Sequence, residues 1–368
     1  MTDRTTDLLP EGLEDRLIQS AAAATRIERA ILDTLTAHGY DRVRPPLIEF
    51  ERSLAARMDG VSRNHMFRFV DPKSLRTLAL RGDMTVQVGR IAATSLVEAP
   101  RPLRLAYAGQ VVKIAGTALE PRRENLQLGA ELIGTDSVAA ASEIVELAIA
   151  ALEAAGASGI SVDFTMPDLV DVLADGPLPL DDREAVRREL DMKDAGALTE
   201  AGGEAYLPLL FATGALPEAL AGLDALNKGG VLDSRIEAIS QIAARVEGRA
   251  RLTLDPTERH GFEYQSWFGF TLYAQGVRGE LGRGGTYRIG GSGEVATGFS
   301  LYPEELVDTV KAQEDIGATV FLPLGHDPVI AASLRAEGKR TLAALSDADD
   351  AAALGCSHRL EGAEVKPL

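Results

Sequence analysis

The sequence predicts an α+β fold, an antiparallel sheet flanked by helices, and three observations carry that prediction. Short β-branched and aromatic runs separated by turn chemistry occur on both sides of a central stretch. That stretch, residues 167 to about 250, is rich in Leu, Ala and Asp and is broken by Gly and Pro, so it reads as an all-helical insertion. After residue 318, strand and helix patterns alternate, which predicts a small C-terminal α/β unit over 318–368 beside a larger domain over 1–317.

The elements follow in order. Residues 16–37 repeat apolar residues at helical spacing, with Gly39 as the stop. YDRVRPPLIEF (40–50) alternates like a strand, but Pro45 and Pro46 remove ladder donors and suit a sheet edge or a subunit contact. MFRFV (66–70) and RTLAL (76–80) are strands around the turn DPKS, and LRGDMTVQVGRIAAT (80–94) runs into a helix. PLRLAYAGQVVKI (102–114) and LQLGAELIG (126–134) form a long antiparallel hairpin around a polar, basic loop. A helix over 137–156 and a strand over 160–166 come next. Beyond the insertion, RLTLD and EYQSWFGFTLYA are strands, and the glycines of LGRGGTYRIGGSG (281–293) are assigned to tight turns. VATGFSLYPEEL (295–306) is a strand entering a helix, and the tail is expected to hold three strands and two helices.

Composition narrows the function. The chain has 368 residues, 45% hydrophobic and 25% charged, enough for a large core. No apolar run approaches the ~18 residues of a membrane span. The opening MTDRTTDLLPEGLEDR has several acids and no apolar core, unlike a secretory signal or a transit peptide. The single cysteine, Cys356, fits a reducing compartment, so a cytoplasmic protein is expected. A net charge of -17 disfavours wrapping nucleic acid. The richest basic stretch, Arg101, Arg104, Lys113, Arg122 and Arg123, forms either a local basic groove or the rim of a small-anion site. His38, His65, His260, His326 and His358 are scattered, so neither a metal nor another cofactor is expected. GxSxG and Walker A patterns are absent, which disfavours an elbow-serine hydrolase and a P-loop ATPase.

Taken together, YDRVRPPLIEF, LAYAGQVVKIAGTALEPRRENLQLGAELIG (105–134) and VATGFSLYPEEL resemble motifs 1, 2 and 3 of the class II aminoacyl-tRNA synthetases in order and spacing. Two further segments bring the resemblance closer to the histidyl-tRNA synthetases. LALRGDMT (78–85) is similar to their amino-acid loop, and RHGFEYQ (259–265) to their histidine-specific segment. The resemblance covers roughly 1–310 apart from the insertion.

The departures from those enzymes concern ATP. Where motif 2 of the synthetases keeps an arginine for the α-phosphate and an acid two residues later, this chain has Lys113 and Ala115. Where motif 3 keeps a second arginine, it has Glu305. A guanidinium grips phosphate bidentately and an ammonium does not. A carboxylate in the place of a cation turns attraction into repulsion of about 1 kcal/mol or several, according to the local dielectric. The arginine that polarises the substrate carboxylate in the synthetases is replaced by His260. Adenylation is therefore expected to be lost.

The amino-acid pocket is better kept. The resemblance implies a histidine-like site from Asp83, Thr85, Gln127, Glu131, His260, Tyr264 and Tyr287, with Gly129 leaving room between Gln127 and Glu131. Periodicity alone also allows Gln127 and Glu131 to be polar residues on a wet sheet face. A histidyl-synthetase-like chain without the ATP arginines resembles the regulatory subunits of ATP phosphoribosyltransferase. That likeness implies no activity of its own, a short-form catalytic subunit as partner, a homodimer within a hetero-oligomer, histidine as effector and no tRNA. The alternatives left open are a divergent adenylating ligase, using Lys113 and Arg123 for phosphate, and a free-standing amino-acid sensor.

Overall fold

The computed structural model describes residues 9–55, 66–116, 121–259, 265–311 and 319–368, in two compact units, Met1–Lys311 and Ala312–Leu368. The larger unit opens with α1 (Ile18–Ala37), β1 (Asp41–Arg42), β2 (Ile48–Phe50), α2 (Glu51–Ala55), β3 (Arg68–Val70), β4 (Thr77–Leu80) and α3 (Thr85–Ala93). The hairpin β5 (Leu103–Val112) and β6 (Glu124–Ile133) follows, then α4 (Val138–Ala154) and β7 (Ser161–Thr165). The middle segment supplies α5 (Leu169–Ala174), α6 (Arg183–Asp191), α7 (Ala195–Glu200), β8 (Gly214–Ala215), α8 (Leu216–Leu226) and α9 (Asp233–Arg245). β9 (Arg251–Leu254), β10 (Gln265–Tyr273), β11 (Gly282–Arg288), β12 (Val295–Leu301) and α10 (Glu304–Lys311) complete the unit.

Nine strands form one sheet in the order β1-β5-β6-β12-β11-β10-β7-β9-β8. Its pairs are antiparallel except β1 with β5 and β7 with β9, which are parallel. The period of two along β6 sorts its residues between two faces. Leu126, Leu128, Ala130 and Leu132 join the main core with α1 and α4, where Ile27, Ile31, Ile144 and Ile149 meet Phe164, Phe270 and Phe299. Ile133 faces the other way, into a smaller cluster with Met84 and Val88 of the α3 region, Tyr107 and Tyr287. Gln127, Gly129 and Glu131 share that second face.

The stretch 40–50 is not one strand. β1 joins the large sheet and β2 joins a separate three-stranded sheet, β2-β4-β3. Pro45 and Pro46 make the crossing, and their carbonyls are satisfied by Arg81 at 2.9 Å and Gln87 at 2.7 Å. The insertion is not purely helical, because β8 adds an edge strand beside β9. Nor are the glycines of 281–293 all turn residues. Gly282, Gly284 and Gly285 lie inside β11, and a Cβ on Gly284 would meet the Phe270 ring of the neighbouring strand.

The smaller unit consists of β13 (Thr319–Leu322), α11 (Pro328–Ala336), β14 (Arg340–Ala343), β15 (His358–Glu361) and β16 (Glu364–Pro367), in sheet order β14-β13-β15-β16. Its core is Val320, Leu322, Ala331, Leu334 and Leu360. The second helix expected in the tail is absent, and a fourth strand takes the count instead. Asp349 accepts from the backbone of Leu345 and Ser346, Asp350 accepts from Ala352, and Gly355 has φ 73°. Local side-chain bonds of this kind compete with helix and leave only turns. No described helix is long and apolar enough to cross a membrane.

Candidate functional site

The site is built on the β5–β6–β12 register. Tyr107 stands opposite Gly129, and Gly129 in turn opposite Ser300. Glu131 stands opposite Gly298. Both glycines permit close approach. A Cβ on Gly129 would strike the Tyr107 phenol and the Phe299 carbonyl, and one on Gly298 would strike the Glu131 carboxyl.

A continuous hydrogen-bond network results. Thr85 N–H donates to Asp83 Oδ1 at 2.6 Å, and Gln127 Nε2 donates to Asp83 Oδ2 at 3.0 Å and to Ser300 Oγ at 2.9 Å. Gln127 Oε1 accepts from the Met84 N–H at 2.8 Å. The Tyr107 hydroxyl lies 2.9 Å from Ser300 Oγ and 3.1 Å from Thr85 Oγ1, and donates to Glu131 Oε1 at 3.1 Å. The Tyr287 hydroxyl closes the far end on Glu131 Oε2 at 2.7 Å. Gln127 and Glu131 are 0% and 1% exposed, so they are not on a wet sheet face. Asp83 alone among the polar members of the network keeps appreciable surface.

Burial sets the electrostatics. It pushes the Glu131 carboxyl up to about 8, against the pull of the Tyr287 and Tyr107 donors, and the charge of Asp83 adds to the rise. Burial also raises Asp83, although the Thr85 and Gln127 donors resist it. The Tyr107 phenol is raised well above its ordinary value by burial and then by the two carboxylates. Every partner named in this network is neutral or acidic. Two carboxyl groups held above their normal range, with neutral donors between them, favour a cation: an ammonium or a protonated ring brought beside them would stabilise their ionised forms.

The 81–84 loop and the first turn of α3, which carry Asp83 and Thr85, are fixed from behind. Arg81 is buried and donates to Pro45 O and, at 2.7 Å, to Gln110 O. Gln87 Nε2 donates to Glu49 Oε1 at 2.9 Å, and Arg90 pairs with the same carboxylate at 2.5 Å. The motif 1 prolines and this loop therefore share one set of buried bonds.

Five residues singled out in the sequence, Asp83, Thr85, Gln127, Glu131 and Tyr287, meet in this network. His260 and Tyr264 lie outside the described residues. Sequence reasoning missed Tyr107 and Ser300. Their signal was the strand register, in which a tyrosine faces a glycine across the hairpin. The room beside Gly129, expected to be left open, is taken by the Tyr107 phenol.

The region matching the ATP end is organised by acids. Lys113 and Ala115 are exposed beyond β5. Glu305, in the first turn of α10, accepts from Arg122 at 2.8 Å. The same guanidinium binds Glu14 at 2.7 Å and approaches Asp308 at 3.6 Å. Glu304 is buried, accepts from Leu126 N–H at 2.6 Å and pairs with Arg16. Arg123 N–H donates to Gly12 O at 2.8 Å, and its guanidinium donates to Glu11 O at 3.1 Å. Residues 11–16 thus lie along the 121–123 strand entry and the start of α10. Of the two readings left open for the basic stretch, the continuous groove is disfavoured by the pairing of its arginines. Arg101 pairs with Glu294 at 2.6 Å, Arg104 with Glu143 at 2.8 Å, and Arg122 with its three acids, on different elements. Among the described residues, no group of three or more His, Cys, Asp or Glu is placed to hold a metal.

Comparison with known proteins bears on the family and the fold. Residues 12–306 match the family model of histidyl-tRNA synthetase. An ATP phosphoribosyltransferase regulatory subunit from Rhodospirillum centenum is 40% identical over 98% of this chain and 96% of its own length. Proteins of the same description from Paramagnetospirillum magneticum and Gluconobacter oxydans are 39% and 37% identical over 96% and 98% of this chain, and 96% and 97% of their own lengths. Among solved structures, an ATP phosphoribosyltransferase regulatory subunit/histidyl-tRNA synthetase from Bacillus halodurans superposes with a TM-score of 0.81 at 24% identity, covering 96% of this chain and 97% of that one. A histidyl-tRNA synthetase from a Nostoc species gives 0.78 at 15% identity, covering 96% and 90%. At those identities the structures establish the fold, a class II synthetase-like architecture.

Proposed function

The chain belongs to the ATP phosphoribosyltransferase regulatory subunits, a family on the histidyl-tRNA synthetase fold, and we propose that it activates a short-form catalytic subunit and carries the histidine signal that inhibits it. It is the non-catalytic member of that enzyme complex, in histidine biosynthesis. The observation that supports loss of synthetase chemistry best is the Arg122–Glu305 pair at 2.8 Å. An acid stands at the motif 3 position and neutralises a guanidinium of the motif 2 loop, so a triphosphate would meet a carboxylate and lose a cation together. The divergent-ligase alternative weakens for the same reason, since Arg122 and Arg123 are both engaged by residues 11–14.

Histidine is read by the buried network. Its ammonium goes to Asp83, the member that reaches the surface, with Thr85 Oγ1 as a further acceptor. Its ring goes to Glu131 and Tyr287. His260 and Tyr264 complete the site as the family likeness implies. The cationic ammonium relieves two carboxyl groups that burial disfavours as anions, which gives the site its preference for an amino acid with a second hydrogen-bonding nitrogen. The segment 81–87, a loop running into the first turn of α3 and bound both to this network and to Pro45, Pro46 and Glu49, is the element through which occupancy would reach the motif 1 region. That region forms the homodimer, and the dimer assembles with catalytic subunits in the cytoplasm without tRNA.

The test mixes the purified chain with a short-form catalytic subunit from the same source and measures phosphoribosyl transfer with and without histidine. Stimulation that histidine reverses is the expected result. No complex and no change in rate would overturn the regulatory reading, and amino-acid-dependent pyrophosphate exchange would then favour the ligase.

A further inference from the structure

The Asp83–Glu131 network offers carboxyl groups and neutral donors, and an α-amino acid brings a carboxylate as well as an ammonium. Asp83 suits the ammonium. The carboxylate on the same carbon meets repulsion from Asp83 and Glu131 unless a cation stands beside it. The buried Arg81 does not serve, because it donates to the Pro45 and Gln110 carbonyls.

The strand register supplies one. Ser300 faces the network, with its Oγ 2.9 Å from both Gln127 Nε2 and the Tyr107 hydroxyl. Arg283 of β11 stands directly opposite Ser300. Directly opposed residues of an antiparallel pair point to one face, with Cβ atoms about 5 Å apart. Arg283 therefore leaves the sheet on the network side, while its neighbour Gly284 meets Phe270 on the side of the main core. Glu280, three residues earlier, accepts from Arg283 Nη2 and draws the guanidinium toward the start of β11. Tyr302 lies at that end, where its N–H donates to Leu281 O at 2.8 Å. Burial raises the Tyr302 phenol, the charge of Asp83 adds to the rise, and the charge of Arg283 opposes it. The phenol thus feels both charges. Asp83, Tyr302 and Arg283 keep part of their surface, whereas Gln127, Ser300 and Glu131 are buried.

We propose, on the reading of that network as an amino-acid site, that Arg283 binds the ligand's carboxylate and so sets the site's preference for a free α-amino acid over an amine with the same side chain. Asp83 and Arg283 then take the two charged ends of the ligand, and Glu131 and Tyr287 take its ring. A guanidinium presents five N–H donors in a planar fork, so a ligand carboxylate can join Glu280 on it. A lysine in its place would supply the charge without the fork.

The experiment is a calorimetric titration of the full chain with L-histidine and with L-histidinol, which carries a neutral CH2OH group in place of the carboxylate. Arg283→Gln should weaken L-histidine about 30-fold, the loss of charge-assisted bonds to one carboxylate, and leave L-histidinol unchanged. Arg283→Lys should recover part of the loss. The L-histidinol arm also reports that the variant's site is still folded. Equal weakening of both ligands would make Arg283 a structural residue, and unchanged L-histidine affinity would put the carboxylate elsewhere. Either result overturns the proposal and leaves the amino-acid site standing. Uptake of neither ligand by the unaltered chain would overturn the amino-acid reading and the proposal together.

Discussion

Replacing Tyr287 by Phe removes the hydroxyl that donates, at 2.7 Å, to the Glu131 carboxyl group, which is 1% exposed. The cost of that change depends on pH, and the structure gives its sign. Glu131 holds its proton up to about 8 when folded, against an ordinary value of 4.5. A raised group of this kind contributes fully below the unfolded value, and its contribution is lost as pH rises through the folded value. The Tyr287 hydroxyl acts against the rise, because it donates to the carboxylate. At pH 6 the carboxyl is neutral, and the lost bond costs about 1 kcal/mol, the typical net value for a neutral pair. At pH 9 the carboxylate is ionised, and the cost grows to about 2–3 kcal/mol, as for bonds to charged groups. The difference of ~1.4 kcal/mol corresponds to the variant's Glu131 titrating about one pH unit higher. Urea unfolding of both proteins at pH 6 and pH 9, followed by the single tryptophan, measures it. That residue, Trp267, lies in β10 of the same sheet and donates to Asp136 O at 2.9 Å. Equal destabilisation at the two pH values would refute the reasoning, because Glu131 would then not be titrating between them through this bond.

Three other outcomes are expected. Glu131→Ala should leave the chain folded and reduce histidine inhibition of the assembled complex by about 100-fold in concentration, the size of a lost charged hydrogen bond; unchanged inhibition would remove Glu131 from the ligand site. Histidine binding at pH 7.5 should release up to one proton, because the bound ammonium favours ionised Glu131 and Asp83, both of which burial raises; calorimetry in two buffers of different ionisation enthalpy reads this directly, and no release would mean that neither carboxyl ionises. Restoring arginine at Lys113 and Glu305 together should not restore amino-acid-dependent pyrophosphate exchange, since the second change also leaves Arg122 facing a cation instead of its 2.8 Å partner; measurable exchange would show that the loss of chemistry is shallower than the acid cluster implies.

The sequence by itself determined the fold class, much of the order of elements and the family. Those properties live in local periodicity and in motif spacing, which a chain displays without being folded. It also carried five members of the buried hydrogen-bond network, because Asp83 and Thr85 sit in one short segment and Gln127 and Glu131 alternate on one strand. Its errors have a common cause. The 40–50 stretch looked like one strand because alternation cannot show that Pro45 and Pro46 carry the chain from one sheet to another. The glycines of 281–293 looked like turns because the close approach of Phe270 to Gly284 is a contact between strands. The tail's second helix was written into composition and cancelled by local bonds from Asp349 and Asp350. Tertiary structure alone decided that Tyr107 would fill the space Gly129 leaves, and that Glu131 would be buried deeply enough to hold its proton near neutral pH. It alone decided that Arg122 would turn to Glu14, Glu305 and Asp308 instead of to a phosphate. Register brings residues more than a hundred positions apart within hydrogen-bond distance, and burial then sets their charge; neither quantity exists until the strands have paired.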